Sequence, residues 1–175
     1  MSNFQKARNP LALVIDRLSV RARIGVVLMV AALALKRLEG APGFQFAAVS
    51  FDLCRRWYDG ERFNPDRFEE SYADEDGGGL VRGAIDARSQ SELAAWAILA
   101  SAIMYIAFQA YREIGRFSTP IVSEVNAENE LDEMYRHMQK LSPTFMEVAR
   151  EAAVHVGQGQ ELSFAQLEAR RSARA

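Results

Sequence analysis

The sequence predicts an all-α domain, a single bundle of about six to eight helices around one buried central helix at about 90–114. Three observations predict it. Residues 89–115, SQSELAAWAILASAIMYIAFQAYREIG, open with Ser89 and Glu92 in capping-box spacing and close on Gly115, and no charge falls between Leu93 and Tyr111. Helix start and stop signals of the same kind recur along the rest of the chain. No stretch alternates Val, Ile or Thr with polar residues as a pair of strands would.

Taken in order, Asn9-Pro10 offers an N-cap and a first-turn proline for a short helix over LALVIDRL. Ser19 caps VRARIGVVLMVAALALKRLE, which stops at Gly40. Arg21 and Arg23 fall in the first turn of that helix, where the dipole disfavours positive charge, so each needs a partner elsewhere or open water. Pro42 opens a third helix, GFQFAAVSFDLCRRWYDG, ended by Gly60. Its apolar residues fall on two faces, Phe44, Ala47, Phe51 and Tyr58 on one and Phe46, Val49, Leu53 and Trp57 on the other, which predicts a helix sandwiched between neighbours.

Asn64-Pro65 starts a short helix to about Ala73, and the segment DEDGGG interrupts the chain before the central helix. Long connections of this kind are disproportionately functional. Pro120 marks a linker. Asn126 caps a helix with Leu131, Met134, Tyr135 and Met138 at amphipathic spacing, and Ser142-Pro143 begins the next, closed by Gly157. A single domain over 1–160 is expected, with 161–175 as a short terminal helix or frayed tail that opens on a Ser163–Gln166 capping box.

The central helix is apolar on nearly every face, so helices or lipid must surround it. Its 19 uncharged residues reach spanning length. They are rich in alanine and include Ser101, Gln109 and two tyrosines, which favours a core helix over a membrane span. No N-terminal apolar run with a small-residue cleavage site appears, and the single cysteine, Cys54, permits no internal disulfide. The cytoplasm is the expected compartment.

The net charge of −2 is unevenly spread. Residues 1–40 carry seven basic side chains against two acidic, 61–79 seven acidic against two basic, and 124–133 five acidic and none basic. Two acidic blocks argue against nucleic-acid binding, which needs clustered Lys and Arg. Gly77–Gly79 lacks the Lys-Ser/Thr of a phosphate-binding loop, and no serine sits in a nucleophile elbow. Glu133 with His137 and Glu151 with His155 are spaced i,i+4 on neighbouring helices, a pattern that can hold a metal but more commonly marks solvated pairs. No catalytic residues, metal or cofactor are expected. Trp57 and Trp96 read as core.

The acidic blocks are the candidate surface for a protein partner: Asp66, Glu69, Glu70, Asp74, Glu75 and Asp76 in the first, Glu124, Glu128 and Glu130 in the second. Asp66 and Glu128 to Glu130 also suit helix N-termini electrostatically, but DEDGGG has no such structural duty.

RLSVRARIGVVL, FDLCRRWYDG and AFQAYREIG resemble the pattern of an all-helical immunity protein family of bacterial polymorphic-toxin systems, family six, over about residues 16–135. The resemblance implies a cytoplasmic protein, monomer or homodimer, that binds a cognate secreted toxin and covers its active site. It transfers no catalytic residues, and the part after Pro143 lies outside it. An acidic surface would suit the cationic groove of a nuclease toxin. Two other classes compete: a ligand-binding helical regulator, and a membrane-associated protein using 93–111.

Overall fold

A computed structural model describes residues 9–72, 79–116, 124–159 and 161–173. Among them the chain is all-α, with no strand and nine helices: α1 Pro10–Ile15, α2 Val20–Arg37, α3 Phe44–Tyr58, α4 Asp66–Tyr72, α5 Gly79–Ile85, α6 Gln90–Glu113, α7 Glu124–Leu141, α8 Thr144–Gly157 and α9 Phe164–Ser172. The helix beyond the expected count is α5, which carries glycines at 79 and 83 and has little intrinsic helix propensity. Packing selects it: Leu80 is fully buried, and α5 lies along the N-terminal half of α6.

The caps form as their residue types predict. Asn9 accepts from the Ala12 amide at 2.7 Å, Ser19 from the Ala22 amide at 3.3 Å and Ser89 from the Glu92 amide at 3.0 Å. The Glu92 carboxylate reaches one residue further back than a capping box requires, to the Arg88 amide at 2.8 Å. The reciprocal box is complete at α9, between Ser163 and Gln166. At the other end of α6, Gly115 takes φ +75°, which lets its own amide bond the Arg112 carbonyl and the Arg116 amide bond the Tyr111 carbonyl. This doubly bonded helix end needs the left-handed conformation that glycine adopts without a Cβ penalty.

The central helix α6 is buried from Ser101 through Tyr111 without interruption. Its largest interface is with α7 and the next with α2, and α5, α4 and α3 cover the remaining faces. It is the one described helix long and apolar enough to cross a membrane, and 83% of its most apolar window lies inside the bundle. Other helices therefore take up the surface that lipid would otherwise cover. α2 is the second axis, packed against α8 as well as α6. It passes close to its neighbours at Gly25, where an added Cβ would lie 3.0 Å from the Tyr58 hydroxyl and 3.2 Å from Val156. Phe164 and Leu167 of α9 are buried in this same core, and Phe164 meets the edge of Phe51 at 5.5 Å between ring centres.

One expectation fails at α3. Its face of Phe46, Val49, Leu53 and Trp57 is buried only toward the C-terminal end: Leu53 and Trp57 are covered, whereas Val49 is 68% exposed. The cover on that side is α4, which spans only seven residues and does not reach the first turns of α3. A cleft of about 470 Å³ remains there, bordered by Val49, Asp52 and Arg56 of α3 and by Arg67 and Glu70 of α4.

Candidate functional site

Of the first acidic block, the structure describes the part on α4. Asn64 and Pro65 begin the helix, with the Asn64 side chain both accepting from the Asp66 amide at 3.2 Å and donating to its carboxylate at 3.0 Å. Phe68, with no exposed surface, anchors the inner face against Trp57 and Phe63. Helical spacing then puts Asp66 and Glu69 toward the C-terminal end of α6 and Glu70 toward solvent and α3.

Asp66 and Glu69 are engaged within the fold. The buried Tyr111 hydroxyl donates to Asp66 at 2.8 Å, and Arg116 donates to the same oxygen at 3.0 Å while its guanidinium covers the Tyr111 ring at 5.0 Å. Glu69 also hydrogen-bonds to the Tyr111 side chain. The Tyr111 bond, then those of Asn64 and Arg116, hold the Asp66 carboxyl below its ordinary range. Burial and the two carboxylates push the Tyr111 phenol up, so it stays a donor. Asp66 and Glu69 thus tie α4 to α6. Glu70 is exposed, and Asp74, Glu75 and Asp76 lie outside the described residues.

This arrangement has a pH signature. A depressed carboxylate stabilises the fold fully above the ordinary aspartate pKa, near about 4, and the contribution is lost as pH falls through the lower folded value. Tyr111→Phe should therefore be less stable than wild type at neutral pH, with the gap closing as pH falls below about 5 and through the depressed Asp66 value. Urea titrations at several pH values read this directly, and a gap independent of pH would rule the linkage out.

In the second block, Glu128 is exposed, and the side chain of Glu124, on the first turn of α7, is outside the described residues. Glu130 is half-buried and hydrogen-bonds to Ser101, a buried hydroxyl of α6. Burial pushes the Glu130 carboxyl up, against the Ser101 bond. Burial raises the Tyr72 phenol at the end of α4 and the Glu130 charge adds to it, so Glu130 and the end of α4 are electrostatic neighbours. Sequence distance hides this, because the blocks are separated by the whole of α6.

The candidate metal pairs do not converge. Glu133 and His137 lie 3.8 Å apart, but His155 is buried without a partner for its Nε2 atom, and no described group of three or more His, Cys, Asp or Glu side chains could hold an ion. Cys54 is buried in apolar surroundings that push its thiol up, which makes it inert as a nucleophile. Of the two tryptophans, Trp96 is core, while Trp57 is buried yet forms one wall of a cleft with Arg62 stacked over its ring at 4.9 Å.

These features define an all-helical scaffold whose described residues offer surfaces for binding. The family model of Immunity protein Imm6 matches residues 22–141, which run from the start of α2 to the end of α7, and the chain belongs to that family. Its members are immunity proteins directed at a toxin and, as a class, are not enzymes. No curated protein and no solved structure matches the chain.

Proposed function

We propose that this immunity protein neutralises its toxin by direct binding over the toxin's active site, through the acidic surface that α4 and the first half of α7 share. The observation that supports this is the nearness of Glu130 to Tyr72, close enough for its charge to add to the effect of burial on the phenol, although the two blocks are far apart in sequence. Glu70 and Glu128 are the exposed carboxylates of α4 and α7 without a partner among the described residues, and Asp74, Glu75, Asp76 and Glu124 carry further charge near them in the sequence. Asp66, Glu69 and Glu130 act differently, by holding α4 and α7 on α6. A toxin with a cationic catalytic groove, as a nuclease has, fits this chemistry: carboxylates stand where phosphates would bind. The protein works in the cytoplasm as a monomer or homodimer, without a cofactor and without binding nucleic acid.

The test is association kinetics with the cognate toxin. Reversing Asp74, Glu75 and Asp76 to lysine should slow association by about tenfold at low salt, with little change in dissociation. Added salt should slow the wild type and speed the reversed variant, because screening acts on attraction in one and repulsion in the other. Unchanged kinetics in the triple variant would sink the acidic-surface mechanism and leave family membership untouched.

A further inference from the structure

The start of α2, the end of α3 and the last turns of α6 enclose a cleft of about 410 Å³. This volume is in the range of small-ligand sites, about 300–1,000 Å³. Trp57, Tyr58 and Ile24 make it apolar, and three guanidiniums, Arg21, Arg62 and Arg112, face one carboxylate, Glu113.

The charges are not equally engaged. Arg62 donates to Glu113 at 2.8 Å and to the Trp57 carbonyl at 2.9 Å, so that pair is internally neutral. Arg21 lies over the Tyr58 ring at 4.8 Å and Arg112 over Phe108 at 5.7 Å, and neither pairs with a carboxylate among the described residues. The Arg21 Nε atom is shut off from solvent with no hydrogen-bond partner. Arg21 also sits in the first turn of α2, where the helix dipole opposes it, and an anion there would satisfy both the dipole and the guanidinium.

An independent observation points the same way. Gln109, in the otherwise apolar stretch of α6, is only 9% exposed and lines the cleft, so its amide is a polar group set into the floor of the site. Ligand sites of this size hold their occupant through a few placed polar groups among apolar walls.

We infer that this cleft binds a carboxylate carried on a flat apolar group, the carboxylate meeting Arg21 and Arg112, the apolar body lying against Trp57 and Tyr58, and Gln109 supplying a polar contact from the floor. The apolar walls favour a carboxylate over a phosphate, whose larger hydration shell would be stripped against them. The inference does not depend on the acidic-surface mechanism, since it involves neither α4 nor α7.

The probe is 3-phenylpropionate, titrated into ¹⁵N-labelled full-length protein, with 3-phenylpropionamide as the neutral control. The Trp57 indole signal should shift saturably with the acid and not with the amide. Trp96 is the internal reference, because it lies 13 positions before Gln109 in α6, about 20 Å along the helix. Arg112→Gln, at an exposed position that leaves the core intact, should weaken the acid by about tenfold, equivalent to about 1.4 kcal/mol. Gln109→Leu, which keeps most of the side chain's bulk and removes the amide, should weaken it as well. Equal responses to acid and amide, or no saturable shift of Trp57, would overturn the site. Repeating the titration on the preformed toxin complex identifies the source of the carboxylate. Exclusion of the probe means the toxin supplies the group, and retention means a free small molecule does; either result supports the site.

Discussion

Replacing Phe68 by alanine is expected to cost about 3–5 kcal/mol of stability. The ring has no exposed surface, stands edge-on to Trp57 with centres 6.4 Å apart, and packs on Phe63 at 5.5 Å. It is the only residue of the seven in α4 that is buried, so truncation removes the main apolar anchor of that helix. A helix of this length has no stability of its own in water. The contacts of Asp66 and Glu69 with Tyr111 and Arg116 would then have to hold α4, and partly exposed polar contacts do not replace a buried ring. Because small domains have only about 5–15 kcal/mol in total, the urea midpoint should fall by a large fraction. Toxin binding should weaken as well, since α4 carries part of the proposed interface. A loss below about 1 kcal/mol would mean that the site collapses around the missing ring, and that α4 is not held by it.

The second large effect is at Gly83. Alanine there would raise the helix propensity of α5 by about 1 kcal/mol, and on propensity alone it should stabilise. The expected result is the opposite. A Cβ at position 83 would lie 2.6 Å from three carbons of the Trp96 ring, far inside the roughly 3.5–4.0 Å at which carbon atoms make contact. Trp96 is 1% exposed and has no room to swing aside. Either α5 or the ring must shift, and overpacking of this kind costs about 1–3 kcal/mol, enough to outweigh the propensity gain. Combining the change with Trp96→Phe provides the check. The smaller ring leaves space for the methyl group and removes an indole N–H that has no partner among the described residues. Gly83→Ala should therefore cost clearly less in the Trp96→Phe background, a coupling visible in a double-mutant cycle. Additive effects would show that the close approach at Gly83 is not what limits the position.

Much of the bundle was legible in the chain because the relevant forces are local or periodic. Asn9, Ser19, Ser89 and Ser163 each satisfy the amide three residues ahead, and Gly60 and Gly115 end helices through conformations that their own lack of a Cβ permits. The uncharged stretch of α6 required burial on nearly every side, and from Ser101 to Tyr111 every residue is buried. α5 was not legible, since two glycines in seven residues argue against a helix, and only the Trp96 ring shows why Gly83 is there. Val49 was misleading for a related reason. Its spacing marks an apolar face, but whether that face is covered depends on the reach of another element, and α4 stops short.

The candidate surfaces divide in the same way. Sequence alone established two acidic blocks, the family pattern and the awkward first-turn Arg21. It could not show that Asp66 and Glu69 are committed to Tyr111, or that Glu130 is drawn in toward Ser101, because those partners lie on α6, dozens of positions away. Nor could it reveal the arginine-lined cleft, although Gln109 in an apolar helix was a visible signal. Helix identity follows from capping and hydrophobic period, which act within a few residues. Which charges remain free for a partner was decided only by tertiary structure, because a carboxylate's availability depends on the donors that folding brings against it.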